Sequence, residues 1–233
     1  MSTVERKLTL APLVAGQRLR QAEFHARYEA MPPGTRAELI GGVVVMPSPR
    51  GYRHGERDTT AGTWLKLYKF RTPGVQVLGN ASTALDDLGE LQPDVSLRIL
   101  SEYGGQSRTL GKIIAGAPEL VVEVADTSRT IDLGAKLTDY ERAGVQEYIV
   151  IALDPDEVLW HQRRDGRLVR VPEDADGWYR SRCFPGLWLD PRALLSDNGP
   201  ALIAALEQGL ATPEHAAFVA RLADHAARAG GTG

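Results

Sequence analysis

Apolar and polar positions recur with two different periods along the chain. Phe24, Tyr28 and Met31 fall at helical spacing, which predicts a helix over 20–31, stopped by Pro32-Pro33-Gly34. The period then shortens: 36–40 and 43–46 read as two strands joined by Gly41-Gly42, residues able to take the positive φ values of a tight hairpin. Pro47-Ser48-Pro49 ends the hairpin, and a helix follows over 52–68 with Trp64, Leu65 and Tyr68 on its apolar side. Strands are predicted at 75–81 and 95–99, separated by the acidic, turn-rich link Asp86-Asp87-Leu88-Gly89-Glu90, whereas 104–116 reads as a polar loop. The β-branched run 119–125 is a strand, and a helix over 131–143 follows it. That helix carries Leu133, Leu137 and Tyr140 on one face, Thr130 as cap and Gly144 past its end, and leads into a strand at 147–152. Two antiparallel strands, 158–163 and 167–171, and a short strand at 187–189 complete the sheet residues. From Ala201 the composition turns to Ala, Leu, Glu and Arg, predicting helices over 201–210 and 213–228.

The strand-helix-strand unit over 119–152 implies at least one parallel strand pair, because a crossover is the usual way to connect parallel neighbours. The fold class expected is α/β, mixed α+β: a central mixed sheet flanked by helices, with a C-terminal helical extension. The organisation is read as an arm over 1–18, carrying at most one short strand, a main domain over 19–195 and the helical extension over 196–233.

Composition narrows the class further. The chain has 233 residues, 43% of them hydrophobic, with a net charge of -3 and one cysteine, Cys183. A chain of this length buries roughly 70% of its unfolded surface, so neither metal nor disulfide is needed for folding. One cysteine excludes an intrachain disulfide framework and a cysteine-based zinc cluster, and fits a reducing compartment. The opening MSTVERKLTLAPL lacks the pattern of a signal peptide, and no segment approaches the ~20 apolar residues that span a bilayer, so a cytoplasmic location away from membrane is expected. Mild acidity argues against coating nucleic acid by global charge but leaves room for a local basic groove. Residues 50–71 hold six Lys/Arg against two acids. In that stretch Arg50 and Arg53, with His54 nearby, are candidate phosphate contacts; as a charge run the same residues read as a solvated helix face. No nucleophile elbow surrounds Ser48, Ser82 or Ser128, and no phosphate-binding loop or dinucleotide fingerprint is present.

The informative anomaly is acid at the ends of apolar strands. Glu123 interrupts Leu120-Val121-Val122 before Val124-Ala125, and burying an unpaired carboxylate costs several kcal/mol, so Glu123 must be paired, protonated or metal-bound. Asp94, after Pro93, opens the strand Val95-Ser96-Leu97. Two carboxylates converging at a sheet end make a hard-oxygen site suited to magnesium or manganese, an ion able to polarise a phosphoryl oxygen and activate water. On the following helix, Asp132, Lys136 and Tyr140 stand at i, i+4 and i+8 beside the Leu133/Leu137 stripe, so the stem of Lys136 can carry its ammonium toward the strand ends. Taken singly, Asp94 reads as a turn residue, Glu123 as half of an ion pair and Lys136 as a solvated lysine. Only their conjunction points to a site.

That conjunction, Pro93-Asp94, Glu123-Val124-Ala125, Lys136 and Gly144-Val145-Gln146-Glu147-Tyr148, resembles the Uma-two family of "putative restriction endonucleases", with the PD-(D/E)XK nuclease fold. The likeness runs from about Leu19 to Leu195 and includes Ala37-Glu38-Leu39-Ile40-Gly41-Gly42, Ser48-Pro49 followed by His54, and Phe184-Pro185-Gly186-Leu187. The resemblance implies a magnesium-dependent nuclease acting on DNA. By it, Asp94 matches the first metal-binding aspartate, Glu123 the second acidic ligand and Glu38 an N-terminal glutamate often added to the site. Lys136 matches a lysine moved to the next helix, because Ala125 occupies the usual lysine position; the main-chain carbonyl of Ala125 remains a metal donor. Two other functions stay open: a catalytically inactive nuclease-fold module that binds DNA or protein, favoured by Ala125, and a metal-dependent hydrolase of a small phosphoester, which would need a closed pocket. The Ala/Leu-rich C-terminal helices pack either on the domain itself or on a second copy, so a homodimer is an expectation too.

Overall fold

Residues 10–230 are described by the structure, a computed structural model of the chain; the first half of the expected arm lies outside them. Helix α1 (Gln21–Glu29) precedes the hairpin of β1 (Glu38–Ile40) and β2 (Val43–Val45), and α2 (Tyr52–Arg71) follows. Next come β3 (Val75–Gly79), β4 (Thr83–Asp86), β5 (Gly89–Leu91), β6 (Val95–Ile99), β7 (Arg108–Leu110), β8 (Ile113–Ala115) and β9 (Leu120–Ala125). Helix α3 (Arg129–Ile131) runs through a π-helical turn, Asp132–Lys136, into α4 (Leu137–Ala143). The chain continues with β10 (Glu147–Leu153), β11 (Asp156–Arg164), β12 (Arg167–Val171), β13 (Tyr179–Arg180), β14 (Trp188–Leu189), α5 (Pro191–Leu195), α6 (Gly199–Leu210) and α7 (Pro213–Gly230).

Two six-stranded mixed sheets result, ordered β12-β11-β10-β9-β6-β3 and β2-β1-β5-β4-β8-β7. The crossover over 119–152 yields the expected parallel pair, β9 with β10. All six residues of β9 and all seven of β10 are buried, as required of central strands covered on both faces. Strand alternation then sorts the side chains. Leu120, Val122 and Val124, with Ile149, Ile151 and Trp160, face Trp64, Leu65 and Tyr68 of α2. Val121 and Ala125, with Tyr148 and Val150, face Tyr140 of α4 and the second sheet's Ile40, Leu85 and Leu91. Glu123 shares the parity of Val121 and Ala125, so its carboxylate enters the layer between the two sheets. The hairpin is tied to α4 where the Gly41 N–H donates to Asp139 Oδ2 at 2.6 Å.

Leu202 and Leu206 of α6, and Phe218 and Leu222 of α7, belong to the same core as α2. The amphipathic content of the C-terminal helices is therefore used within the chain.

Some expectations need correcting. The link over 86–90 is the turn of a hairpin, β4–β5, and the loop over 104–116 contains a second, β7–β8. Three- or four-residue strands carry too few alternations to register as a period, and β7 is exposed along its whole length, because an edge strand is held by ladder bonds and buries little. Thr130 lies inside α3 and does not cap it; no side chain caps the start of this helix, and the Ser128 hydroxyl donates instead to Asp132 Oδ2 at 2.6 Å. The Gly41-Gly42 turn is as expected, with φ of 56° and 77°.

Candidate functional site

A cleft of about 240 Å³ opens where the β1–β2 hairpin, the start of α2, the mouth of β6, the end of β9 and the π turn meet. Glu38, Arg50, His54, Asp94, Glu123 and Lys136 all line it. The register explains the first convergence. Val95 pairs with Val122 across the antiparallel β6–β9 ladder, so one further step sets Asp94 opposite Glu123, with both side chains on the same face. Asp94 breaks the ladder there: its Oδ2 accepts the Val124 N–H at 2.8 Å.

Lys136 is only 7% exposed and sits among three carboxylates. Its Nζ lies 2.9 Å from Glu123 Oε1, 3.3 Å from Glu38 Oε2 and 3.7 Å from Asp132 Oδ1. Tyr140 donates its hydroxyl to the same Glu123 Oε1 at 2.7 Å. The π turn accounts for this convergence. Residues i and i+4 on a straight α-helix drift by about 40°, whereas the wider turn closed by i→i+5 bonds drifts the other way. Asp132–Lys136 is the π turn and Lys136–Tyr140 the α-helical one, so the two drifts cancel and all three side chains face Glu123. The Tyr148 hydroxyl holds the turn by donating to the Asp132 carbonyl at 3.0 Å, and Glu38 is held by the Gln92 N–H, which donates to its Oε1 at 2.7 Å.

Burial pushes the Glu123 carboxyl well above the usual carboxylate range; Lys136 opposes this, while Asp94, Asp132 and Glu38 add to it. Burial raises Asp132 as well, against the pull of Lys136. For Lys136, burial alone would lower the pKa, but the surrounding carboxylates outweigh it and keep the ammonium charged. Asp94 goes the other way. Burial would raise it, yet the His54 and Arg50 side chains and the Val124 N–H together hold it below its ordinary value.

Three carboxylates around one ammonium leave an excess of negative charge in a dry place, and the donor set is made of hard oxygens. Glu123 Oε2 accepts no hydrogen bond among the described residues, and buried Asp94 Oδ1 is paired with the Arg50 guanidinium at 2.5 Å, a partner that a metal ion could replace. These residues fit a divalent cation. Truncation of Tyr140→Phe removes one of the two donors to Glu123 Oε1 and is expected to cost about 1.5–3 kcal/mol in urea unfolding, the range for a hydrogen bond to a charged group. An unchanged midpoint would show that this bond carries no net stability.

Two residues singled out in the sequence stand elsewhere. Arg53 does not line the cleft; its guanidinium pairs with both oxygens of Asp156 at 2.8 Å and donates to the Leu153 carbonyl. Ala125 is buried in the layer against Tyr140, and the cleft is lined instead by Val124 and Asp126 on either side of it. Conversely, Asp58 gathers with His54 and Asp94, one potential ligand atom from each lying within 4.8 Å of the others. Its i+4 spacing from His54 was the available signal.

The family model Uma2, described as "Putative restriction endonuclease", matches residues 22–192. Among solved structures, a putative nuclease belonging to DUF820 from Anabaena variabilis ATCC 29413 is similar in fold, with a TM-score of 0.56 at 17% sequence identity. The likeness covers 73% of this chain and 96% of that one. No curated protein matches. Among the described residues no helix is long and apolar enough to cross a membrane.

Proposed function

Because the chain belongs to the Uma2 family of "putative restriction endonucleases", we propose that the cleft is the site of a metal-dependent endonuclease that hydrolyses DNA phosphodiester bonds. The observation that carries this reading is the buried Lys136 ammonium held among Glu123, Glu38 and Asp132 beside the buried Asp94 carboxylate, whose Oδ1 faces Arg50 at the cleft entrance. Asp94 and Glu123 would hold magnesium or manganese, with Glu38 nearby. When bound, such an ion supplies a Lewis acid for the phosphoryl oxygen and a more acidic water.

The chain's own groups do the rest. Glu123 accepts a hydrogen bond from the Lys136 ammonium while Glu38 and Asp132 pair with it at 3.3 and 3.7 Å, so its charge is held fixed in the wall of the cleft. There it stabilises negative charge as it accumulates on the phosphoryl oxygens, at no reorganisation cost. Arg50, at the entrance, pairs with the backbone phosphate next to the scissile one. The nuclease unit is assigned to residues 19–195, with 196–233 as a helical extension whose α6 packs against α2.

One observation favours a second reading, a nuclease-fold module without activity. All of the Lys136 contacts are internal ion pairs, which is how an inert site would be neutralised. Calorimetry with magnesium and manganese on wild type and on the Asp94→Ala, Glu123→Ala double variant, with supercoiled plasmid cleavage on the same samples, separates the two. Binding and cleavage that vanish together in the variant are expected. A folded wild type that binds neither metal would remove the nuclease reading.

A further inference from the structure

Beside the Lys136 cluster, the cleft holds a second group of donors of different chemistry. His54 and Asp58 stand one turn apart on α2, and Asp94 meets them from the mouth of β6, with His54 Nε2 3.3 Å from Asp94 Oδ2. The other ring nitrogen, His54 Nδ1, is buried without a hydrogen-bond partner, and the residue is 7% exposed. Buried polar atoms are nearly always partnered, so an imidazole that faces a carboxylate with one nitrogen and has no partner on the other calls for an explanation. Asp94 Oδ1, equally buried, has no partner among the described residues other than the Arg50 guanidinium. The corner's positive charge comes from Arg50, whose Nη2 lies 2.5 Å from Asp94 Oδ1 and whose Nη1 lies 3.8 Å from Asp58 Oδ2. Arg50 is tethered otherwise only to Asn80 Oδ1, at 2.6 Å, and its side chain is 26% exposed, so it can swing away without disturbing the core.

Resting on the nuclease reading above, we propose that His54, Asp58 and Asp94 form a second divalent-cation position that shares Asp94 with the first, and that Arg50 is its counter-ion while no metal is bound. The two positions differ in chemistry. Asp94 with Glu123 offers oxygen alone, which suits magnesium. An imidazole nitrogen in the shell favours manganese or another first-row transition ion, because magnesium keeps an oxygen shell. Entry of the second ion releases Arg50 from Asp94, freeing a planar guanidinium for a phosphate at the cleft entrance.

Manganese titrated into the full chain, followed by calorimetry and by electron spin-echo envelope modulation, tests this. The expected result is two manganese equivalents, with nitrogen modulation from a directly bound imidazole that disappears in His54→Gln. Asp58→Asn, at a half-buried position, is expected to weaken the second equivalent by ~10-fold or more and carries the test if His54→Gln does not fold by circular dichroism. Manganese bound without nitrogen modulation, modulation that persists in folded His54→Gln, or unchanged binding by Asp58→Asn would overturn the second position and leave the nuclease reading standing. No manganese binding by folded wild type would overturn both.

Discussion

Lys136→Met is expected to destabilise the protein by about 3–5 kcal/mol near pH 8, the cost of breaking a buried ion pair from one side. Methionine fills the volume of the lysine stem, so the loss is electrostatic: Glu123, Glu38 and Asp132 would face one another with no cation. The pH dependence identifies the cause. Glu123 and Asp132 have folded-state pKa values above their unfolded ones, so between those values the folded chain binds more protons and stability falls as pH rises. Without Lys136 that window extends upward, so the deficit should be largest at pH 8 and shrink on acidification toward about pH 4, where the unfolded carboxylates also protonate. The lysine's own pKa is raised, so its contribution is fully present below the unfolded lysine value of about 10.4 and is lost only as pH rises through the folded value. It therefore adds no slope between pH 5 and 9. Urea unfolding of both proteins across that range measures the difference, and a deficit independent of pH would refute the charge-balance account.

Glu123→Gln should separate stability from activity. The amide keeps an oxygen to accept from Tyr140 and Lys136 but removes a carboxylate whose ionised form burial disfavours, and Lys136 keeps Glu38 and Asp132 as partners. The variant is expected to be at least as stable as wild type at pH 8, while plasmid cleavage falls on the order of 10³-fold through loss of a preorganised charge at the reacting centre. Wild-type cleavage by a folded Glu123→Gln protein would exclude Glu123 from the site. A destabilised variant would show instead that the ionised carboxylate supports the fold. A gain in stability with a loss of activity is what a strained functional site predicts.

Much of the site was legible before the structure because the relevant residues violate a local pattern. Glu123 stands out in Leu120-Val121-Val122 because a charge in a doubly buried strand demands a partner, and Asp94 because Pro93 marks a strand mouth. Lys136 and Tyr140 were legible as helix neighbours. The burial of Lys136 was not, since a lysine beside an apolar stripe is ordinarily solvated. Glu38 carries no anomaly in its own strand and was suggested by resemblance alone. Asp58 is marked only by its i+4 spacing from His54, a common spacing on any helix, and it lies 36 positions from Asp94.

Local rules, period, turn chemistry and the cost of a buried charge, were enough for the sequence to determine the central strands β9 and β10, their parallel pairing, the Gly41-Gly42 hairpin, the longer helices and the carboxylates that need partners, but not the short α5. The short hairpins β4–β5 and β7–β8, the π turn that aligns Asp132, Lys136 and Tyr140, the withdrawal of Arg53 to Asp156 and the meeting of His54 and Asp58 with Asp94 were decided by tertiary structure. Each depends on long-range neighbours: ladder bonds from another strand, a helix seated over a sheet, or a counter-charge about a hundred residues away. Apart from the two hairpins, whose strands adjoin in sequence but are too short to show a period, no window of sequence holds both partners, so no local preference can reveal them.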